Sequence, residues 1–227
     1  MHKVLAIVAH PDDEIIGVGG TLCKHVMDGD KVFVLFVADG KSSREQSYKP
    51  LRKDKEQKSN EEIKKALAHL GIKSFEKLNL PDNRLDQIAM LDLTKKISTY
   101  VNEFKPDIVY THHFGDLNID HQRVSEAATI ACRPIENSSV KAIYQFETLS
   151  STEMAGYIHS RAFLPNVFIE IENQIQKKLK AMGCYKSELH KFPHPRSLEA
   201  IENNAKNWGS KVNLKYAEAF YCLREIK

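Results

Sequence analysis

The residues from His10 to Glu14 combine one imidazole and three carboxylates, in the order His-Pro-Asp-Asp-Glu. They directly follow Lys3 to Ala9, an apolar run typical of a buried strand in a parallel sheet. Carboxylates at the end of such a strand gain nothing from core packing and need a charged partner. The two simplest partners are a basic substrate and a divalent metal. Histidine and aspartate together form a ligand set suited to zinc and its first-row neighbours.

The same residues also suit the start of a helix. Pro11 is favoured in a first helical turn, and the acidic side chains that follow it would complement the positive end of the helix dipole. This interpretation explains the carboxylates but gives His10 no role. The segment alone therefore leaves a metal site and a helix start open.

A second polar cluster lies between His112 and His121 and contains three histidines and two aspartates. It follows the strand-like segment Asp107 to Thr111 and runs into the helical pattern Val124 to Ala131. In open α/β sheets, ligands bind outside the carboxyl ends of neighbouring strands. Two polar loops at that edge can form one site, so the pair of clusters favours a metal site.

These segments resemble the PIG-L/LmbE-like family of metal-dependent N-deacetylases, which includes the N-acetylglucosaminylphosphatidylinositol de-N-acetylases. The resemblance spans nearly the whole chain, and its first motif is the most specific. The matching segments are Ala9-His-Pro-Asp-Asp-Glu14, Pro81-Asp-Asn-Arg84, Gly115 to His121, Pro193-His-Pro-Arg-Ser197 and Tyr216-Ala-Glu-Ala-Phe220.

The resemblance implies a metal centre and a base. It implies that His10, Asp13 and His121 bind Zn²⁺ or another divalent first-row metal, and that Asp12 is the general base acting on the metal-activated water. The residues alone also allow Asp12 to be the N-cap of the following helix, because aspartate is a preferred cap. The two roles are compatible.

The chain departs from the family at Asn118, where many members have a histidine that helps to stabilise the transition-state oxyanion. The amide of Asn118 can donate a neutral hydrogen bond but cannot carry a positive charge. Either this contribution is weaker here, or His112, His113 or His194 supplies it. We predict that His194, held between two prolines, is the catalytic donor beside Asn118.

Several further side chains are predicted to contact the substrate, since their loops would reach the same edge of the sheet. Pro-Asp-Asn is also strong turn chemistry, and the segment Pro193 to Ser197 could be only a stiff connection between helices. The predicted substrate-binding residues are Arg44, Asn83, Arg84, His113 and Arg196.

The glycines of Gly17-Val-Gly-Gly20 follow the first strand, as in a dinucleotide-binding fingerprint. Leu22 occupies the place of the third glycine, however, and the acidic block before Gly17 would repel phosphate. The glycines therefore predict a close approach of the first helix to the sheet or to the site.

Composition excludes several classes of protein. The chain has 33 basic and 30 acidic residues, a net charge of +3 that gives no support for nucleic acid binding. The four cysteines form no Cys-x-x-Cys pair, which disfavours a thiolate metal site or a disulfide framework. The longest apolar run, Val32 to Ala38, is too short to span a membrane, and the start of the chain lacks signal-peptide features. We expect a cytoplasmic protein.

The elements that position these residues alternate between strand and helix, which predicts one α/β domain over residues 1–227 with a Rossmann-like, mostly parallel sheet flanked by helices. The predicted strands are Lys3 to Ala9, Lys31 to Ala38, Ser74 to Leu80, Asp107 to Thr111 and Ala142 to Phe146. The predicted helices between them are Glu14 to Asp28, Asp54 to Leu70 and Met90 to Phe104. A smaller C-terminal extension combines strands at Val167 to Glu172 and Tyr216 to Arg224 with helices at Gln174 to Phe192 and Ser197 to Trp208.

The sequence thus predicts a zinc-dependent hydrolase that removes an N-acetyl group from an N-acetylglucosamine-type sugar or conjugate by means of metal-activated water. The expected partner is this small molecule, and a homo-oligomer is compatible with the sequence. Two alternatives stay open: a metal-dependent phosphoesterase, which usually needs more carboxylates around two metals, and a noncatalytic sugar- or nucleotide-binding module.

Overall fold

The structure, a computed structural model, describes residues 1–42, 53–136, 138–156 and 160–227. The strands in these ranges are β1 (Lys3–Val8), β2 (Lys31–Ala38), β3 (Ser74–Leu80), β4 (Ile108–His112), β5 (Ala142–Phe146), β6 (Val167–Glu170) and β7 (Ala217–Glu225). The α-helices are α1 (Asp13–Met27), α2 (Lys53–Leu70), α3 (Met90–Phe104), α4 (Ile119–Ala131), α5 (Ile175–Met182) and α6 (Leu198–Ser210). None of these helices is both long and apolar enough to cross a membrane.

The strands form a single sheet in the order β3-β2-β1-β4-β5-β7-β6. The first five strands in this order are parallel, whereas β7 is antiparallel to both β5 and β6. This arrangement confirms the predicted mostly parallel α/β sheet with a C-terminal extension. The chain leaves β1 toward β2 and β3 and then returns to β4 on the other side of β1. The topological switch point therefore lies at the carboxyl ends of β1 and β4, where open α/β sheets bind ligands.

Helices cover both faces of the sheet because strand side chains alternate in direction. Val4, Ala6 and Val8 of β1 belong to one apolar core, which includes side chains from α1, α2, α5 and α6. Leu5 and Ile7 of the same strand belong to the opposite core, which includes side chains from α3 and α4. Both faces of β1 are therefore buried, as its uninterrupted apolar run predicts.

The bounds of β2, β3, α3 and β5 agree with the sequence prediction, and most of the other elements differ from it by one or two residues. Helix α4 begins at Ile119, five positions before the predicted pattern, because the Asn118 side chain caps it by accepting from the backbone N–H of Asp120.

The chain after α5 does not have the predicted conformation. The sequence pattern predicts one helix from Gln174 to Phe192, but α5 ends at Met182. Gly183 is a poor helix former, and Tyr185 is buried in the core, so tertiary packing outweighs the helical pattern. The chain that follows instead returns to the end of β1.

A buried ion pair ties α1 to the C-terminal part of the sheet. Nζ of Lys178 on α5 lies 2.5 Å from Oε1 of Glu218 on β7, and both side chains are only 4% exposed. Glu218 also accepts from the backbone N–H groups of Gly20 and Thr21, at 2.8 and 2.7 Å. Lys178 donates to the carbonyl of Ile16 at 2.8 Å. Because both charges have several partners, the pair fixes the position of α1 against the sheet.

The glycines of α1 permit this close packing. A Cβ atom at Gly17 would lie 2.1 Å from the ring of Phe146, and one at Gly20 would lie 2.8 Å from the side chain of Ile171. The prediction that the glycines let the first helix approach the sheet closely is therefore confirmed.

We expect Lys178→Met to destabilise the protein, because it leaves Glu218 buried without its cation. Breaking a buried pair in this way typically costs about 3–5 kcal/mol in the free energy of unfolding. Chemical denaturation measures this, with Lys180→Met on the exposed side of α5 as the control. If Lys178→Met lowers the free energy of unfolding no more than the control does, the ion pair does not have this role.

Candidate active site

The two polar clusters of the sequence meet at the switch point of the sheet. His10, Asp12 and Asp13 follow β1, and His121 lies in the first turn of α4, after β4. Because β1 and β4 are adjacent and parallel, their carboxyl ends lie side by side. The loop after β3 brings Asp82 to the same place.

The structure brings the three predicted metal ligands together. Nδ1 of His10 lies 3.4 Å from Oδ2 of Asp13 and 3.3 Å from Nε2 of His121. Nε2 of His121 lies 3.4 Å from the same Asp13 oxygen. All three residues are buried, and Oδ1 of Asp13 has no hydrogen-bond partner. Two ring nitrogens and a carboxylate with an unpartnered oxygen fit a divalent cation of the zinc type.

His121 is oriented from behind by Asp116. Its Nδ1 lies 3.1 Å from Oδ1 of Asp116, which leaves Nε2 facing Asp13. Asp116 also accepts hydrogen bonds from the hydroxyl groups of Ser151 and Thr152. Burial alone would raise the pKa of Asp116, but His121 and these donors lower it to about 2. An ionised carboxylate behind a ligating histidine fixes the direction of the ring and increases its basicity.

His10 has a corresponding arrangement with two carboxylates. Its Nε2 lies 3.0 Å from Oδ1 of Asp82 and 3.0 Å from Oδ2 of Asp120. Asp120 also accepts from the backbone N–H groups of Asn83 and Leu85, at 2.7 and 3.0 Å. These contacts on Nε2 direct Nδ1 toward Asp13 and His121.

Opposite charges compensate each other within the cluster. Burial alone would raise the pKa of Asp13, but the charge of His121 and the contact with His10 hold it well below its usual range. Burial alone would lower the pKa of His121, but Asp13 and Asp116 raise it to about 9. A divalent cation at this position would compete with protons on the histidines, as metals generally do at such sites.

His112 supports the cluster without offering it a free nitrogen. Its Nε2 accepts from the backbone N–H of Ala9 at 2.9 Å, and its Nδ1 lies 3.2 Å from the hydroxyl of Thr148. Burial and the neighbouring His121 lower the pKa of His112 to about 3, so the ring is neutral. The rings of His112 and His121 stack at 4.0 Å.

Asp12 occupies the N-cap position of α1, but its side chain makes no capping hydrogen bond. Its backbone φ of 121° is a conformation that costs a residue with a side chain on the order of 1–3 kcal/mol. The carboxylate faces a cleft instead, where Oδ2 lies 3.1 Å from Nη1 of Arg196. Burial raises the pKa of Asp12 to about 7, against the opposing effect of Arg196.

The cleft in front of the cluster has a volume of about 230 Å³. It is lined by His10, Pro11, Asp12, Gly40, Asp82, Asn83, Asn118, Glu188 and Arg196. The predicted residues Asn83 and Arg196 are thus at the cleft, whereas Arg84 and His113 are not among the lining residues. Arg44 lies outside the described residues. Nε2 of His113 donates to the carbonyl of Arg161 at 2.9 Å, which anchors a neighbouring loop.

Asn118 and His194, the two residues predicted to help catalysis, have different positions. Asn118 caps α4 through Oδ1 and directs Nδ2 toward Oδ1 of Asn83 at 3.3 Å, at the cleft. His194 accepts from the backbone N–H of Arg196 through Nδ1 and stacks on His190 at 4.0 Å. His194 is not among the residues that line the cleft.

Arg196 holds a position between three partners. Its Nε donates to the hydroxyl of Ser150 at 2.7 Å, while Nη1 contacts Asp12 and lies 3.7 Å from Oε2 of Glu188. Arg196 therefore joins the chain after α5 to the first motif and to the loop after β5.

The sequence predicted no individual role for Asp82, Asp116, Asp120 or Glu188. The first three lie inside motifs that were recognised, so their signal was present, but an aspartate in a turn-rich loop is not distinctive on its own. Glu188 lies in a segment predicted to be a helix and carried no signal of this kind.

The chain is similar to known deacetylases. The family model described as PIG-L, GlcNAc-PI de-N-acetylase, matches residues 5–132. The chain is 29% identical over 190 residues to the uncharacterized deacetylase YaiS of Escherichia coli, covering 81% of this chain and 90% of that protein. It is 28% identical to the diacetylchitobiose deacetylase of Thermococcus kodakarensis, covering 95% of this chain and 81% of that protein.

The fold is also found among solved structures. The N,N'-diacetylchitobiose deacetylase of Pyrococcus horikoshii, solved with an inhibitor, matches with a TM-score of 0.77 at 23% identity. The match covers 98% of this chain and 84% of that chain.

We expect the protein to bind one divalent ion per chain. Removing a residue that only orients a metal ligand costs about 10–100-fold in metal affinity. Removing the ligand itself in His121→Ala should therefore lower the zinc content at least tenfold. Elemental analysis after equilibration with zinc measures this, with His190→Ala, an exposed histidine, as the control. Full occupancy in His121→Ala would show that His121 is not a ligand.

Proposed function

The chain belongs to the PIG-L family, and we propose that it is a zinc-dependent hydrolase that removes the N-acetyl group from an N-acetylglucosamine-type sugar or conjugate. One observation carries the proposal: His10, Asp13 and His121 converge beside a polar cleft into which Asp12 directs a separate carboxylate. Amide hydrolysis by metal-activated water uses this combination of a metal centre and a base that is not itself a ligand. The deacetylase relatives support the reaction and the type of sugar.

The residues proposed to hold the ion are His10, Asp13 and His121. Three protein ligands with nitrogen and oxygen donors are typical of a catalytic zinc site. When bound, such an ion supplies Lewis acidity and makes water acidic enough to react near neutral pH. The carboxylates behind the two rings keep the ligand nitrogens in place, so the protein fixes the donor set before the ion binds.

Asp12 is proposed to take the proton from the attacking water and to return it to the departing amine nitrogen. Its carboxylate faces the cleft and does not belong to the group of three converging ligand atoms. A pKa near 7 suits a group that must accept a proton and later release it at neutral pH. Arg196 holds Oδ2 of Asp12 and thereby orients the carboxylate.

Asn118 and Asn83 are proposed to contact the substrate. The side-chain amide of Asn118 lies at the cleft and can donate to the oxygen of the acetyl group as negative charge develops on it. One well-placed donor of this kind contributes about 2.7–4 kcal/mol to the stability of the transition state. Asn83 and Asp82 offer a donor and an acceptor suited to sugar hydroxyl groups. No step is assigned to Arg84, His113 or His194, which are not among the residues lining the cleft.

The geometry favours this reaction over a two-metal phosphoesterase. A second group of possible ligands, His10, Asp82 and Asp120, shares His10 with the first group. Asp120 already accepts two backbone N–H groups and contacts the ring of His10, so its charge is largely compensated. This second group is better suited to orienting His10 than to holding a further cation. The cytoplasmic location and the oligomeric state stay predictions of the sequence.

We expect the zinc-loaded protein to release acetate and a free amine in equal amounts from at least one N-acetylglucosamine derivative. The panel comprises N-acetylglucosamine, N,N'-diacetylchitobiose, N-acetylglucosaminyl malate and N-acetylglucosamine 1-phosphate, with acetate and primary amine measured separately. Release of phosphate without acetate would indicate the phosphoesterase alternative. Saturable binding without any product would indicate a binding module.

We expect Asp12→Asn to retain the fold and the metal but to lose turnover, because the amide cannot accept the proton. Proton transfer by a positioned base contributes about 10²–10⁴-fold to the rate. The measurement is kcat on the best substrate together with zinc content. The control is Asp86→Asn, which changes an exposed carboxylate in the short 3₁₀ helix after β3. Normal turnover in Asp12→Asn would refute the assigned base, and loss of zinc would make Asp12 a ligand.

A further inference from the structure

The backbone of Asp12 has a conformation that its own residue type does not favour. Its φ is 121° and its ψ is −30°, whereas an N-cap residue normally has an extended backbone. In the usual arrangement, an N-cap aspartate turns its carboxylate onto the N–H groups of the first helical turn. Asp12 does not, and its carboxylate faces the cleft instead. Some other contact must therefore hold the backbone.

That contact comes from Glu14 and Tyr185. The backbone N–H of Asp12 donates to Oε2 of Glu14 at 3.0 Å. The hydroxyl of Tyr185 donates to Oε1 of the same carboxyl group at 2.5 Å. Glu14 is fully buried and Tyr185 is 2% exposed, so water does not compete for these hydrogen bonds. The two residues are 171 positions apart in the chain.

The burial of Glu14 argues against a simple helix cap. In a capping box, a glutamate in the first turn accepts the N–H of the N-cap residue, and a solvent-exposed side chain is sufficient for this. Glu14 is instead enclosed, with none of its surface exposed. A buried carboxyl group whose two oxygens each have one donor is restricted to one orientation. It can therefore fix the N–H of Asp12 more tightly than an exposed cap could.

We propose that Glu14 and Tyr185 are positioning residues that hold the main chain of Asp12 so that its carboxylate serves the cleft instead of capping α1. The proposal rests on the proposed role of Asp12 as the base. Without this support, the backbone of Asp12 relaxes to the extended conformation of an ordinary N-cap. Its carboxylate then binds the N–H groups of the first turn, while the three proposed metal ligands stay in place.

The test compares Glu14→Gln with Glu14→Ala. The glutamine amide can still accept the N–H of Asp12 through its oxygen and donate to the hydroxyl of Tyr185 through its nitrogen, so kcat should stay within about threefold of the wild type. Glu14→Ala removes the acceptor, and kcat should fall by about 100-fold with KM and zinc content unchanged, because misplacing a catalytic group by about 1 Å typically has this effect. Tyr185→Phe should lie between the two.

Tyr216→Phe is the matched control, since the hydroxyl of Tyr216 also donates to a carboxylate, that of Glu202, at 3.0 Å. It should leave kcat unchanged. Thermal unfolding and zinc content of every variant separate a loss of fold or of metal from a loss of positioning. Crystal structures of Glu14→Gln and Glu14→Ala then report the backbone of Asp12 directly, which should relax in the alanine variant alone.

Two results would overturn the proposal. Both concern folded, zinc-loaded protein. The first is a normal kcat in Glu14→Ala. The second is a kcat in Glu14→Gln as low as that in Glu14→Ala, which would assign the effect to the charge of Glu14. If the wild type deacetylates no substrate, the proposed function fails on its own, and the crystal structures still decide whether Glu14 holds Asp12. An unrelaxed φ at Asp12 in Glu14→Ala would then refute the positioning role.

Discussion

The compensation of buried charge at the carboxyl ends of β1 and β4 is the constraint on which the rest of the structure depends. Asp13, Asp116 and Asp120 are fully buried there. A buried carboxylate is tolerated only when it is paired or hydrogen-bonded, and removing one partner leaves an uncompensated charge. The histidines, backbone N–H groups and hydroxyl groups around these side chains supply that compensation. The polar loops are therefore fixed by the same contacts that leave two ring nitrogens and one carboxylate facing each other.

The C-terminal extension supplies contacts that hold the first motif and the helix that follows it. Arg196 reaches Asp12, Tyr185 reaches Glu14, and Lys178 with Glu218 fixes α1 from the opposite side. In the proposed mechanism the first motif supplies the base, and contacts from Tyr185 and Arg196 help to keep Asp12 from capping the helix that begins beside it. In this view, the strands and helices beyond β5 are the support that keeps a strained residue at the cleft.

The sequence predicted the parts of the fold and site that depend on local pattern. Local hydrophobic patterns placed β2, β3, α3 and β5 at their observed bounds, and the parallel topology implied that the loops holding His10 and His121 would meet. The prediction of a helix after α5 was wrong because the burial of Tyr185 is a tertiary effect, which local pattern does not reveal. Glu188 was missed for the same reason, since an acidic residue in a helical pattern does not differ from a solvated one. Which histidine nitrogens are free depends on partners such as Ala9 and Thr148, which no motif contains.

We propose that this cluster is a metal centre held by His10, Asp13 and His121. Anomalous diffraction from crystals of the zinc-loaded protein, recorded on both sides of the zinc absorption edge, tests it most directly. We expect one anomalous peak per chain, in contact with these three side chains and beside the carboxylate of Asp12. A peak between Asp82 and Asp120 on the other side of the His10 ring, or no peak at saturating zinc, would contradict it.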